Sequence, residues 1–368
     1  MQALLLVSYG APERQEEVVP FLNNLFAGKN VPTERIATAV QKYEKFAAKT
    51  GHYSPLNSEC RKLIEGIRQE WQRNHHNPLP VYWGNLFGQP LLVDTIAQMT
   101  QDGIKRAACF ATSAFDSPSG NKRYADALES ARKTVGVNAP ILEKLPLSFE
   151  HPLFIEAQAE RLLESTNILA GTPARMGTYK NTGNHPCPST GGELGCFAAQ
   201  KEGCFTPFLR SKSFNSPPVE GCPKGRVVSE CIFRGCRILF SAHSIPLVDA
   251  AQSHYVEQLQ STCRLIIEKS GMAFPWELVY QSRSGPAEHW LGPDIKERIG
   301  TLAAEGLVRS VIVSPIGFFC ENMETENDLD IEVGECCAEL GIALYRSKAV
   351  GAMPPICRMI VELIRERA

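Results

Sequence analysis

The chain has 368 residues, 43% hydrophobic and 21% charged, with 38 basic against 40 acidic side chains and a net charge of −2. That composition suits a globular protein of about two domains. It offers nothing to a polyanion such as nucleic acid, and no apolar run approaches the roughly 18 residues of a membrane span.

The opening, MQALLLVSYGAPE, has no basic leader and no cleavage-type segment, so it reads as a buried first strand rather than a secretion signal. Further strands are expected at 80-PVYWGNL-86, 105-KRAACFATSA-114, 237-RILFSAH-243, 277-ELVYQSR-283, 308-VRSVIVSPIGF-318 and 342-IALYRSK-348. Their near-continuous apolar character suits parallel strands covered on both faces. Helical patterns lie between them, such as 57–74 and 295–307, the latter closed by Gly306. The alternation predicts a doubly wound α/β architecture, repeated in two units. Each unit opens with a strand that breaks into small and polar residues, SYGAPE in the first and SAHSIP in the second. Ligands of open α/β sheets sit outside the carboxyl ends of strands, so both breaks should face a cleft.

Residues 171–236 break the pattern, with ten Gly, seven Pro and six Cys and no helical or strand period. None of the spacings among Cys187, Cys196, Cys204, Cys222, Cys231 and Cys236, with His185 nearby, is C-x-x-C. The stretch therefore reads as a flexible or foreign insertion rather than a metal or iron–sulfur site. The other seven of the thirteen cysteines are scattered, as buried thiols in a reducing compartment would be.

Three segments can carry chemistry. The stretch 238-ILFSAHSIPL-247 runs a buried strand into a turn bearing His243. In 314-SPIGFFCENMETENDLDIE-332 an acidic segment follows a strand; on a helix the spacing of Glu321, Glu324, Asp328 and Glu332 would put all four carboxylates on one face. Their repulsion calls for a compensating cation. The Gly/Pro-rich loop 280-YQSRSGPAEHWLGPDI-295 presents Trp290, which could wall a flat apolar ligand. Aromatic and proline turns at 8-SYGAPE-13 and 51-GHYSPLN-57 mean little alone.

Together, and in this order along the chain, these segments resemble the ferrochelatase family, over residues 2–170 and 236–366. GHYSPLN is similar to a G-G-x-S-P-I/L turn, YQSRSGPAEHWLGP to Q-S-x-x-G-P-x-x-W-L-G-P, and SPIGFFCENMETENDLD to P-I/V-G-F-x-S-D-H-x-E-x-L-Y-D-L-D. The resemblance implies two Rossmann-like, chelatase-type domains, each a parallel sheet flanked by helices, with the active site in the cleft between them. It gives an N-terminal half at 1–165, the insertion at 171–236, a C-terminal half at 237–350, and a helix in 351–368 that packs back on the N-terminal half.

The implied activity is insertion of ferrous iron into a porphyrin, protoporphyrin IX or coproporphyrin III, with release of two protons, in haem biosynthesis. His243 and Glu324 then stand as the catalytic and metal-binding pair, meeting over opposite faces of the macrocycle. A neutral imidazole accepts a proton near pH 7 and also ligates ferrous iron, while a carboxylate binds metal or takes up a proton. Tyr9, Ser54, Trp290 and Phe318 would line the porphyrin pocket. Glu321, Asp328 and Glu332 would conduct metal in or protons out. No organic cofactor is expected, iron being a substrate, and no iron–sulfur cluster, since the cysteine tail that holds one in animal relatives is missing.

The partners are thus a porphyrin and iron. The cytoplasm is the expected location, and an apolar substrate allows a peripheral membrane contact. The sequence departs from the pattern at Glu321-Asn322, which replaces Asp-His, and at Leu86-Phe87, which replaces an Arg-Tyr pair. If that arginine meets a substrate carboxylate or the metal, its function is missing or supplied elsewhere. The competing readings are a chelatase for another metal or tetrapyrrole, such as cobalt, and a non-catalytic porphyrin-binding relative.

Overall fold

The computed structural model describes residues 1–29, 31–171 and 235–367. The first half contains β1 (Ala3–Ser8), α1 (Gln15–Phe26), α2 (Thr33–Thr50), α3 (Leu56–Asn74), β2 (Val81–Asn85), α4 (Leu92–Gln101), β3 (Arg106–Ala111), α5 (Arg123–Val135), β4 (Ile141–Lys144) and α6 (Pro152–Gly171). The second contains β5 (Cys236–His243), α7 (Leu247–Ala251), α8 (Tyr255–Ser270), β6 (Trp276–Gln281), α9 (Ile295–Ala304), β7 (Ser310–Ser314), α10 (Val333–Glu339), β8 (Ala343–Arg346) and α11 (Pro354–Arg365). The expected cysteine-rich insertion, with Cys187, Cys196, Cys204, Cys222, Cys231 and His185, lies outside the described residues apart from its ends at Gly171, Gly235 and Cys236.

The two halves repeat one topology. The sheets run β2-β1-β3-β4 and β6-β5-β7-β8, and every pairing is parallel. In this order successive crossovers leave the first strand in opposite directions. The crevice for a ligand therefore opens at the carboxyl ends of β1/β3 and of β5/β7. β1 is buried along its whole length, as an interior strand covered on both faces must be. The seven strands read from the sequence are all present within a few residues of their expected ends. The eighth, β4, was not anticipated: it has four residues at a sheet edge, and its Ile141 is 54% exposed, so it lacks the continuous apolar run that marks the others.

The halves exchange helices. α6 packs against α8, β7 and β8 of the second half, and α11 packs on α3 of the first half and on α6. The largest core cluster therefore runs through both halves, joining Leu4 and Leu63 to Phe240, Ile312 and Ile360. Among the described residues no helix is long and apolar enough to cross a membrane.

Candidate active site

β5 delivers His243 to the cleft. The strand exit is pinned by Ser244, whose N–H donates to Gln281 O at 2.8 Å and whose hydroxyl donates to Leu291 O at 2.8 Å. Tyr255 Oη donates to the carbonyl of His243 itself at 3.1 Å. The β7 exit lies hard against this strand: a Cβ on Gly317 would sit 2.7 Å from the Cα of Ala242, and Gly317 N–H donates to Ser241 O at 3.1 Å. That approach brings Phe318 to 6.5 Å from the His243 ring, centroid to centroid. His243 Nδ1 lies 2.5 Å from Ser244 O, a carbonyl that can only accept, so Nδ1 carries the proton and Nε2 keeps a free lone pair.

Nε2 points at Glu324, whose Oε2 is 3.7 Å away; the two side chains are 34% and 42% exposed. The pair read from segments some eighty residues apart is thus one cluster. Its spacing differs from the expected arrangement over opposite faces. A flat ring needs about 3.5 Å of contact distance on each side, or about 7 Å in all, so at 3.7 Å no macrocycle fits between the two groups. A ring lying between them requires the two part-exposed side chains to rotate apart.

The acidic segment corrects the expectation of four carboxylates on one α-helical face. Residues Thr325–Glu332 form a π-helix, with i→i+5 bonding in place of the 3.6 period, and Glu321 lies ahead of it. Glu321 is not a free conduit carboxylate. It is buried against Arg346, with Arg346 Nη1 at 2.7 Å and Nη2 at 2.5 Å, and it accepts the Ala349 N–H at 2.6 Å. Burial pushes its carboxyl up, but Arg346 and these hydrogen bonds outweigh that and hold it below its ordinary value. Asn322, at the departure from Asp-His, caps the helix: its Oδ1 accepts Thr325 N–H and its own N–H donates to Thr325 Oγ1, both at 2.9 Å.

The remaining acids each have a protein partner. Asp328 pairs with Lys42 at 3.3 Å and accepts the hydroxyl of Ser282; Glu332 pairs with Lys296 at 2.6 Å; Glu326 meets His52 Nε2 at 2.7 Å. The cations that offset the carboxylate repulsion are thus lysine and arginine side chains, scattered along the sequence with no local pattern to announce them. Arg346 is the last residue of β8, and nothing in the strand pattern marks it as the partner of Glu321.

The other expected pocket residues divide. Tyr9 stands at the cleft: its ring packs edge-on against Phe87 at 5.2 Å and Tyr124 at 5.5 Å, and its hydroxyl is 3.3 Å from Arg123 Nη1. Burial raises its phenol, and the charge of Glu324 adds to this while Arg123 opposes it, so Tyr9 lies within electrostatic reach of both. Trp290 is half-buried; it bridges to Pro246 three residues past His243, and its indole nitrogen rests over Gly285. Ser54 is 8% exposed and its Oγ accepts Leu56 N–H at 3.3 Å, a turn-forming contact.

Two matching α/β halves, with an imidazole and a carboxylate at the strand ends of the second, make a chelatase-type architecture. Its fold is similar to the solved structure titled "SirB from Bacillus subtilis with Fe3+", at a TM-score of 0.50 and 10% identity, covering 100% of this chain and 95% of that one. The ferrochelatase family model matches residues 1–176 and 228–368, so the chain belongs to the ferrochelatase family. A Rhodopirellula baltica protein named ferrochelatase is 34% identical over 366 residues, covering 99% of this chain and 86% of the relative. A Frankia alni protein named coproporphyrin III ferrochelatase is 34% identical over 378 residues, covering 100% of this chain and 80% of the relative.

Proposed function

We propose that the protein inserts ferrous iron into a porphyrin, with coproporphyrin III as the first substrate to test, and releases two protons in haem biosynthesis. The names of the Frankia alni relative and of a Streptomyces griseus relative, also 34% identical, support that substrate choice. The observation that carries the reading is the meeting of His243 Nε2 and Glu324 Oε2 at 3.7 Å beside Phe318, at the carboxyl ends of β5 and β7.

The chemistry follows from the tautomer. With Nδ1–H committed to Ser244, Nε2 is the base position of the imidazole, and it can accept a pyrrole N–H proton as the metal replaces it. The imidazolium that forms is stabilised by the Glu324 carboxylate, which can also take the second proton or hold the incoming iron. Iron is a substrate here and must leave with the macrocycle. A pair of protein donors suits that role, since it leaves the remaining coordination positions to the porphyrin nitrogens. No organic cofactor and no iron–sulfur cluster enter this scheme. The walls of the slot are Phe318, Trp290 and Tyr9.

An anaerobic assay with ferrous iron, run on protoporphyrin and coproporphyrin side by side, tests the proposal. Turnover is expected in the wild type and a loss of about 10² to 10⁴-fold in His243→Ala. Near-normal rates in that variant, or porphyrin binding without turnover in the wild type, overturn it.

A further inference from the structure

We infer that Arg123 is a clamp for the peripheral carboxylates of the substrate; this rests on the porphyrin reading above. Arg123 opens α5, and its guanidinium sits 6.0 Å over the Phe87 ring and 3.3 Å from the Tyr9 hydroxyl. Phe87 and Tyr9 are in edge contact with each other at 5.2 Å, so Arg123 stands directly behind two aromatic residues of the cleft. It is fixed by stacking and by a neutral hydroxyl, neither of which neutralises it.

Lys29, in the turn after α1, lies within electrostatic reach of Arg123 and of Arg35 in the first turn of α2. Partial burial holds the Lys29 ammonium below its ordinary value, and the like charges of Arg123 and Arg35 push it further the same way. Among the described residues none of these three cations forms an ion pair with a carboxylate, although other charged side chains around the cleft do: Lys42, Lys296 and Arg346 are all paired. Three like charges gathered without a counter-charge repel one another, and an arriving anion relieves that cost. A planar guanidinium offers two parallel N–H donors to a carboxylate, the geometry that binds it most firmly. The cluster also answers the loss of the Arg-Tyr pair at Leu86-Phe87. Phe87 now supplies the ring on which an arginine from another element is stacked. A macrocycle lying against Tyr9 would turn an acidic edge toward Arg123, and one with more carboxylate side chains would engage more of the cluster.

The test measures porphyrin affinity by fluorescence quenching, without iron, in wild type and Arg123→Gln, using coproporphyrin III and its tetramethyl ester. The free acid is expected to bind about tenfold more weakly to R123Q, with no change for the ester. Arg123→Lys should recover part of the loss. In the turnover assay the effect should fall on KM more than on kcat. Equal weakening of acid and ester would make Arg123 a structural residue, and no change for either would remove it from the site. Both results overturn the inference. If R123Q does not fold, Lys29→Gln, on an exposed loop, gives the same comparison with a smaller expected loss. A wild type that discriminates acid from ester but never turns over sinks the proposed reaction and leaves the clamp standing.

Discussion

The 3.7 Å between His243 Nε2 and Glu324 Oε2 makes separable demands on the two side chains. His243 must offer a lone pair, and the Ser244 carbonyl fixes which nitrogen offers it. Glu324 must carry charge, either to balance the imidazolium or to hold iron. Glu324→Gln keeps the shape and removes the charge. It is expected to slow metal insertion by about 10² or more while porphyrin affinity, read by fluorescence quenching, stays within about threefold. If porphyrin binding were abolished instead, Glu324 would be a pocket residue and not a participant in the chemistry. The strand ends that carry both were legible in the sequence, and the family resemblance, not the strand pattern, singled out His243 and Glu324 there. Their spacing was not legible, since it depends on how closely Gly317 lets the β7 exit approach Ala242. Nor was Arg123: a cation at the start of a helix 114 residues from Tyr9 has no local mark of its destination.

At the scale of the element, the acidic segment shows how the wrong helical period groups residues that the structure gives separate tasks. An α-helical spacing put Glu321 in line with Glu324, Asp328 and Glu332; the π-helix and the Arg346 ion pair remove it from that line and give it a structural task. The side chains of that pair are only 9% and 11% exposed, so breaking it strands a buried charge. Glu321→Gln is expected to cost about 3 kcal/mol at pH 7. The sign of its pH dependence follows from the lowered carboxyl. Stability from the pair is fully present above the unfolded value, about 4.3, and is lost as pH falls through the folded one. Denaturant unfolding of wild type and variant should therefore converge as the pH drops below about 4; a deficit that is constant with pH would assign the cost to packing alone. The turn before the helix makes a second demand. A methyl on Gly317 would meet backbone at 2.7 Å, so Gly317→Ala must push the β7 exit off β5. It should lower the melting temperature, and also widen the His243–Glu324 spacing enough to lower kcat.

At the scale of the molecule, the two halves are joined by charges and by core, and magnitudes decide which matters more. Lys49–Glu335, Lys42–Asp328 and His52–Glu326 all run from α2 or the turn after it to the acidic segment or α10. Lys49 and Glu335 are about half exposed, at 54% and 49%, so their pair is screened by solvent and worth less than about 1 kcal/mol. α11 joins the halves differently: Ile356, Met359, Ile360 and Ile364 are fully buried where it packs on α3 and α6. Truncating one such side chain costs about 2 to 5 kcal/mol, through lost transfer energy and the cavity left behind. The repeat of two α/β units was readable from the strand pattern. The swap of α6 and α11 was not, because an amphipathic helix shows which of its faces is apolar without showing which sheet will cover it. The comparison to make is Ile360→Ala against Lys49→Ala in urea. The first should shift the midpoint by a large fraction of the total stability, and the second hardly at all, with its small effect vanishing in high salt. Were the lysine variant the more damaging, the α2 contacts and not the shared core would be what holds the cleft walls together, and the opening that His243 and Glu324 require would have to be sought in the charged seam.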